Sequence, residues 1–533
     1  QNNVAIDPTT NEPFYFVFVD NTSNSLGTYE SPYPTLNLAE VNSKAGDIIY
    51  IFPGDGTTTG MDSGIVLKAN QKLWGSGTPH ALQTTQGAIA IPALTSTMPS
   101  ITNLTGSAIT LDGINDISGL KIANCYDHAI FGPAAKNISI SDCTVDNSGD
   151  PTYPIDQINL IYSDTTGQAI LDRLTVTNSS LNGIFIDSSA TDMSVTINNS
   201  TFEHGEVYGI NGNFANQASV TIKNNLLTNS ANGIALNFNG PATALISGNE
   251  FNAINSISEK PIEIITAAGP ITATIENNNI HDNTCGGILL SLNNTSDAQI
   301  NIENNIITNN DHGAFDHLGS AIVIYPQSTT IDNCHLVLAN NTITDNTGDA
   351  LYSTDGSFNT LTFEATNNTI TNNGGGGLLF NNACDVFNFT AKNNVISEGN
   401  DNAILTAGGV LIDTMNVICD NNQITNNAHY ANGIAFSHNG TNLNMTITNN
   451  EISNNEGTAI FSYSGSEITN ISANIDNNMI QNNQNSNVNA TGGIGLEQFI
   501  NFTGAITNNT MSGNDISTPD LYIGSTQTTP PVA

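Results

Sequence analysis

Residues 300–308 read Ile-Asn-Ile-Glu-Asn-Asn-Ile-Ile-Thr, residues 445–453 read Met-Thr-Ile-Thr-Asn-Asn-Glu-Ile-Ser, and the pattern returns through most of the chain. Its fixed point is an asparagine followed two positions later by an apolar residue. We call the eleven such residues the marker asparagines: Asn225, Asn249, Asn278, Asn305, Asn341, Asn368, Asn394, Asn422, Asn450, Asn478 and Asn509. Their spacing is 24 to 36 residues and mostly 26 to 29. Such a period predicts a solenoid of stacked coils.

Each repeat contains three short segments in which apolar and polar residues alternate. One segment, such as 274–276, ends close to the marker, and a second, such as Thr342–Thr344, follows it. A third, such as 183–186, comes after a turn that contains glycine. Alternation with a period of two predicts strands rather than helices. We therefore predict an all-β fold, a parallel β-helix with about 28 residues and three strands per coil.

Stacking explains why the same residue types recur at the same positions. Equivalent residues of successive coils are about 4.8 Å apart, so isoleucines stack on isoleucines inside the solenoid. We expect the marker asparagines to stack at a turn, because asparagine tolerates the left-handed conformation and its amide can bond to the asparagine of the next coil. We interpret this column as structural rather than as a ligand site.

The N-terminal region lies outside this repeat. We divide the chain into an N-terminal strand and cap helix (1–45), the β-helix (46–515) and a C-terminal edge strand with a Pro/Thr-rich tail (516–533). Residues 14–19 predict an aromatic strand and residues 35–43 a short helix. We assign Phe14, Phe16 and Phe18 to assembly, since an unpaired strand can join the edge of another copy. The alternative, that the strand pairs with its own first coil, is the favoured interpretation.

The opening resembles that of right-handed parallel β-helix proteins of the pectate-lyase-like superfold. Residues 27–36 (Gly-Thr-Tyr-Glu-Ser-Pro-Tyr-Pro-Thr-Leu) are similar to the sequence that leads into the cap helix of these proteins, and residues 47–54 to their first coil. Residues 64–68 and 73–77 are similar to the second coil. The opening is most similar to passenger modules of bacterial cell-surface proteins, including those of autotransporter and inverse-autotransporter systems. The resemblance implies a right-handed helix and a surface location, but this superfold carries many activities.

Composition restricts the environment and the partners. The chain has 47 acidic and 9 basic residues, and its formal net charge is −38. Such a charge repels phosphates, so we expect neither nucleic acid nor an anionic membrane as a partner. The sequence contains no apolar stretch long enough for a transmembrane helix, and we expect an extracellular, cell-surface location. Six cysteines occupy different phases of the coil, and a disulfide, notably between Cys125 and Cys143, stays open.

Two weak candidate sites lie in the repeats. Asp311, His312, Asp316 and His317 fall in the longest repeat and are candidates for a catalytic or metal site, although an ordinary polar loop is the favoured interpretation. Glu276 and Glu303 occupy the same outward position of successive coils. Either a calcium ion bridges these two carboxylates or water screens them, and screening is favoured. We expect no cofactor apart from this calcium.

The sequence favours a non-enzymatic surface protein over an enzyme. The resemblance implies that lyases of this fold use Arg or Lys near calcium, whereas this chain has one arginine, Arg173, without a basic cluster around it. We predict a rigid β-helix rod that acts as an adhesin or passenger or as the subunit of a surface filament. Its partner would be another copy or a glycan or protein on a host or neighbouring cell. A glycoside hydrolase remains the alternative, since two carboxylates from different coils suffice for that chemistry.

Overall fold

The computed structural model describes residues 5–8, 11–24, 26–149, 154–256, 260–311, 319–327, 330–406, 411–437, 439–463, 468–484, 492–515 and 519–525. The chain forms two compact parts, residues 1–239 and 240–533, which are described separately. Each is a parallel β-solenoid, with about 27 residues per turn, and helix is almost absent. The predicted fold class is confirmed. Within the described ranges, no helix is long and apolar enough to cross a membrane.

Three rows of parallel strands build each part. Row A strands precede the marker position, row B strands follow it, and row C strands follow the next turn. In the first part, row A consists of Ile48–Ile51, Lys72–Gly75, Gly113–Ser118, the second half of Ile130–Ser141, Thr166–Asp172, Asp192–Asn198 and Gln217–Lys223. Row B consists of Ser100–Ile101, Lys121–Ala123, Thr144–Asp146, Thr175–Thr177, Thr201–Glu203 and Leu226–Thr228. Row C consists of Ile65–Val66, Ile109–Thr110, the first half of Ile130–Ser141, Ile158–Tyr162, Ile184–Ser188, Tyr208–Phe214 and Asn232–Phe238.

The second part repeats this arrangement. Row A consists of Ala242–Ser247, Ile271–Glu276, Asp297–Glu303, Thr330–Ala339, Ile412–Asp420, Asn442–Thr448 and Ile468–Asp476. Row B consists of Glu250–Asn252, Asn279–His281, Ile306–Thr308, Thr342–Thr344, Thr369–Thr371, Val395–Ser397, Gln423–Thr425, Glu451–Ser453, Met479–Gln481 and Thr510–Ser512. Row C consists of Ile262–Thr266, Ile288–Leu292, Ile322–Tyr325, Ile404–Thr406, Ile434–Ser437, Ile460–Tyr463 and Leu521–Ser525. Three long strands, Leu351–Thr366, Leu378–Lys392 and Ile494–Thr507, run through rows C and A without a break.

The alternation of side chains fixes which residues form the core. In row B of the second part, Ile280, Ile307 and Ile343 are partners in register, and each is fully buried. Their strand neighbour Ile306 points outward and is 47% exposed. Successive side chains of a strand face opposite sides, so a shift of one residue would expose this column.

The N-terminal strand closes the first coil of its own chain. Phe16–Val19 pairs in parallel with Ile48–Ile51. The opposite edge is also bonded at Phe18, whose N–H donates to the Gly27 carbonyl at 3.0 Å and whose carbonyl accepts from the Tyr33 N–H at 2.8 Å. A seven-residue helix, Leu36–Asn42, follows and is capped by the Thr35 hydroxyl.

These contacts place Phe14, Phe16 and Phe18, which we assigned to assembly, against the first coils of their own chain. Their rings pack against a buried cluster of Ile48, Tyr50, Trp74 and Leu82. Packing of these partly buried rings inside the chain reduces the apolar surface that the sequence suggested was available to another copy. The strand thus pairs with its own first coil, as the favoured interpretation had it. Assembly of the chain with another copy stays a prediction.

The marker asparagines from Asn225 to Asn478 are buried and Asn509 is partly buried, and the left-handed residue is the one before the marker. From Asn278 onward, the residue directly before each marker has a φ of 54° to 59°. These residues are Asn277, Asn304, Asn340, Asn367, Asn393, Asn421, Asn449, Asn477 and Asn508. The expectation that the markers themselves adopt this conformation was therefore wrong. The exposed asparagine makes the turn, and the buried one satisfies the backbone that the turn leaves unpaired.

Bonding between successive markers is continuous through the second part. The side-chain oxygen of Asn305 accepts both the backbone N–H of Asn278 at 3.0 Å and its side-chain amide at 3.0 Å. The Asn278 amide also donates to the carbonyl of Ile246 in the preceding coil, at 2.9 Å. The same three bonds recur at each later step as far as Asn478. Each buried amide is thus fully bonded, as a buried polar group requires.

A second asparagine column, which the sequence analysis missed, lies five residues after the markers. It consists of Asn283, Asn310, Asn346, Asn373, Asn427, Asn455, Asn483 and Asn514. Asn310 accepts the Asn283 amide at 2.8 Å, and Asn346 accepts the Asn310 amide at 2.9 Å. Glycine stands at this position in one coil, where the Gly399 N–H donates to Asn427 at 3.0 Å. A column of hydrogen-bonded asparagines therefore stabilises both the turn before row B and the turn after it.

One lysine is enclosed in the second part. Lys260 is 1% exposed, and its Nζ donates to the Ser320 carbonyl at 3.3 Å. The side chain reaches past Gly286 in the intervening coil, where a Cβ atom would lie 2.3 Å from Nζ. The amine of Lys260 fits there because Gly286 has no side chain. We therefore interpret Lys260 as a structural residue that fills the space beside Gly286.

All six cysteines are buried as thiols. Burial raises the pKa of Cys143 to about 12, and burial likewise raises the pKa of Cys334 to about 12. A raised pKa keeps these thiols protonated at pH 8, and only the thiolate reacts with disulfide reagents.

We therefore expect the native chain to be inert to Ellman's reagent at pH 8. After unfolding in guanidinium, the reagent should detect all six thiols. Detection of only four thiols in the unfolded, non-reduced chain would reveal a disulfide, with Cys125 and Cys143 as the first pair to examine.

Candidate functional site: a groove beside the N-terminal hairpin

The structure places the sequence-predicted residues at two separate positions. Asp311 is exposed, and its backbone N–H donates to the Asn283 carbonyl at 2.7 Å. Its proposed companions, His312, Asp316 and His317, lie outside the described residues. The site predicted for this loop therefore stays a prediction.

Glu276 and Glu303 are partners in register on adjacent row A strands. The Ser247 hydroxyl donates to Glu276 Oε1 at 3.1 Å, and both glutamates are half-buried. In the part of the chain that the structure describes, no cluster of three or more His, Cys, Asp or Glu residues has the geometry of a metal site. A calcium ion between the two carboxylates also stays a prediction.

A groove in the first part brings together a different set of residues. Its floor is the outer face of row A in three successive coils, at Gly113–Ser118, Ile130–Ser141 and Thr166–Asp172. One wall is an antiparallel hairpin, His80–Thr84 and Gly87–Ile91, which the sequence analysis did not predict. The groove has a volume of about 440 Å³, which is within the range of small-molecule sites, about 300–1,000 Å³.

Six outward side chains form the floor in two columns. The first column consists of Ile114, Asn137 and Gln168, and the second of Asp116, Ser139 and Ile170. Ile114 is 41% exposed and Ile170 is 38% exposed. Ile418 in the second part is also an exposed isoleucine at an outward row A position, but the floor of the groove has one in each of its two columns.

A charged pair marks one end of the groove. Lys72 Nζ lies 3.3 Å from Asp116 Oδ2, and the indole Nε1 of Trp74 donates to the same oxygen at 3.2 Å. Lys72 Nζ also lies 5.7 Å from the centre of the Trp74 ring. The carboxylate is thus held by two donors on the neighbouring row A strand, which fixes its orientation.

Trp74 is buried and packs against His80 of the hairpin. It is 2% exposed, and the His80 ring stacks on it with 4.6 Å between ring centres and an interplanar angle of 4°. His80 Nε2 lies 2.7 Å from the Gly75 carbonyl, which requires a proton on that nitrogen. Burial lowers the pKa of His80, so a neutral ring is favoured at pH 7. The hairpin therefore positions the tryptophan that orients Asp116.

The remaining lining residues are amides and apolar side chains. Gln83 comes from the hairpin, whereas Asp7 and Phe14 come from the N-terminal segment. Among the described contacts, the side-chain amides of Gln83, Asn137 and Gln168 have no protein hydrogen-bond partner. The groove therefore offers donors and acceptors to a ligand, together with the Lys72–Asp116 ion pair and apolar side chains that include Phe14, Ile114 and Ile170.

A family model described as "Right handed beta helix region" matches residues 159–336 and 320–516. The chain belongs to the right-handed β-helix family. Except for Gln168 and Ile170, the groove precedes the region that the family model matches. Family membership thus describes the coils and leaves the groove without an assigned role.

Solved structures provide no functional guidance. An alginate lyase of the PL6 family is 11% identical, with 94% of this chain and 100% of that chain covered and a TM-score of 0.19. A rhamnogalacturonan lyase is 14% identical, with 74% and 83% covered and a TM-score of 0.17. Similarity at this level does not bear on activity. A search of the curated proteins gave no match.

Proposed function

We propose that this β-helix protein is extracellular and displayed at a cell surface, where it binds a surface partner through the groove and acts as an adhesin or passenger. The groove carries the proposal, because it is a preformed recess lined by amides, apolar side chains and one internally neutralised ion pair. Sites of this composition bind and orient a ligand.

The state of Asp116 favours binding over catalysis. Its Oδ2 accepts from Trp74 and pairs with Lys72, so this oxygen is already engaged by two donors. A catalytic acid or base needs a proton that it can exchange with the substrate. A carboxylate held in this way is better suited to positioning.

The net charge of the chain and the packing of its N-terminal strand restrict the class of partner. A net charge of −38 disfavours nucleic acid and anionic membranes. Assembly through Phe14, Phe16 and Phe18 is not part of the proposal, because these rings pack inside their own chain. We propose a glycan or a protein on a host or neighbouring cell as the partner, and assembly with another copy through a different surface stays a prediction.

A glycoside hydrolase is the second candidate, because the groove contains two carboxylates, Asp7 and Asp116. Hydrolases of this kind need one carboxyl group as the acid and another as the nucleophile or base. The same groove would then bind a polysaccharide and also cleave it.

A panel of polysaccharides separates the two functions. We expect the labelled protein to be retained saturably by at least one immobilised polysaccharide or cell surface. Incubation should release neither reducing ends nor unsaturated uronates. If products appear and Asp116→Asn abolishes them, the protein is an enzyme, and if no surface retains the protein, the binding function is wrong.

A further inference from the structure

We infer that the groove binds an uncharged oligosaccharide, which lies across the three coils of the floor. This inference rests on the proposed binding function and names the ligand class of the same site. It follows from the charge, the hydrogen-bonding groups and the apolar groups of the lining.

Charge argues against an acidic sugar. Lys72 is the cation of the lining, and its Nζ is already paired with Asp116 at 3.3 Å. Asp7 adds a second carboxylate at the rim, and the whole chain is strongly acidic. A uronate or sulfated sugar would meet two carboxylates and no unpaired amine, which is unfavourable at low ionic strength.

The hydrogen-bonding groups match sugar hydroxyls. A primary amide offers two donors and one acceptor with two lone pairs, and a hydroxyl group of a sugar both donates and accepts. Asn137 and Gln168 are register partners in adjacent coils, and Gln83 faces them from the hairpin. A ligand with several hydroxyl groups can therefore bond to the floor and the wall at the same time.

The apolar groups are placed for the C–H faces of sugar rings. Ile114 and Ile170 lie in different columns and two coils apart, which corresponds to about 10 Å along the stack. The amide of Asn137 lies between these coils, and Phe14 lies at the rim. The floor thus presents apolar surface in its first and third coils and amides in its second and third coils, so a chain of pyranose rings can contact both.

The single tryptophan of the chain provides a direct measurement. Trp74 donates to Asp116 in the groove, so ligand that displaces or tightens this contact should change the indole fluorescence. We propose titration of the intact protein with neutral gluco-, manno-, galacto- and xylo-oligosaccharides of four to six units. Oligomers of galacturonate and mannuronate serve as the acidic arm.

We expect at least one neutral series to bind saturably, with an affinity that does not change between low salt and 0.5 M NaCl. Asn137→Ala and Gln168→Ala should each weaken that binding about 3- to 10-fold, the effect of one lost hydrogen bond. Ile170→Ala should also weaken it. Unchanged thermal unfolding of each variant would show that the coils are intact.

The second part offers a matched control surface. A shallow hollow of about 460 Å³ on its row A face is lined by Asn416, Asn444 and Ser472 but contains no charged or aromatic side chain. Asn444→Ala removes an exposed amide of the same kind, which donates to Asn416 at 2.8 Å. This variant should bind the neutral ligand as the unmodified protein does.

The outcomes separate the inference from the function on which it rests. Stronger binding of the uronates, with a loss of affinity in salt, would overturn the uncharged ligand, and so would the absence of binding by every neutral series. If a polysaccharide retains the groove variants as well as the unmodified protein, the groove is not the binding site, and only the proposal that the protein binds a surface stands. If this protein binds to an immobilised protein but to no glycan, its ligand is a protein and not an oligosaccharide.

Discussion

Ile307→Asp should abolish the cooperative unfolding of the second part. Ile307 is fully buried between Ile280 and Ile343, and both of these neighbours are also fully buried. An aspartate there would place an unpaired carboxylate in the apolar column, which costs several kcal/mol, and would remove about 2–4 kcal/mol of packing. The sum is comparable with the total stability of a domain, about 5–15 kcal/mol. We expect loss of the main thermal transition, measured by circular dichroism and calorimetry.

Ile306→Asp is the matched control in the same strand. Ile306 is 47% exposed, so a carboxylate at this position stays in water. Surface substitutions of this kind change stability by about 0.5 kcal/mol or less. Both variants place an aspartate in the same strand, so they share any loss of strand propensity. A difference in their stability therefore reports the direction of the side chain. Unfolding of the Ile307→Asp variant at the temperature of the unmodified protein would contradict the assigned register.

The coils were predictable because short segments of the sequence specify them. Alternation within each strand and the return of Ile280, Ile307 and Ile343 at a fixed phase define an inward column before any coordinates are known. Each coil mainly contacts its two neighbours, so the repeat alone specifies the stacking. The cap helix was equally accessible, because the Thr35 side chain caps its first turn.

The turn residue was assigned wrongly for a chemical reason. In the pairs Asn304–Asn305 and Asn367–Asn368, both residues are asparagines. One adopts the left-handed conformation, and the other forms the buried ladder. Asparagine is favoured in both roles, so residue type cannot distinguish the two positions. The direction of the following strand, which places the second residue inside, would have been the usable signal.

The groove was missed because no local segment encodes it. Its floor combines residues from three coils, and its wall is a hairpin inserted between the row A strand Lys72–Gly75 and the row B strand Ser100–Ile101. Ile114 and Ile170 were the available signal, since each is apolar at an outward position. Only the register between coils shows that Asn137 separates them, and only the hairpin turns this face into a recess.

Asn368→Ala should destabilise the second part by about 3–6 kcal/mol, because it leaves several buried groups without partners. The side-chain oxygen of Asn368 accepts the Asn341 N–H at 2.9 Å and its amide at 3.1 Å. The Asn368 amide donates to the Leu338 carbonyl at 2.8 Å and to Asn394 at 2.9 Å. Alanine removes all four bonds, and the neighbouring coils exclude the water that could replace them. Guanidinium unfolding should show the loss as a lower midpoint.

The preceding residue provides the contrasting variant. Asn367 has a φ of 57° and is exposed, and the bond that its side chain donates is a 3.3 Å contact with Asn340. Its backbone N–H, which glycine keeps, donates to the Lys392 carbonyl at 3.0 Å. Glycine adopts this conformation without strain, so Asn367→Gly should change the stability by about 0.5 kcal/mol or less. Two adjacent asparagines of the same sequence motif would then differ by several kcal/mol. If the two substitutions cost the same, or if Asn367→Gly costs more, the buried ladder is not what stabilises the corner, and the turn residue would carry that role.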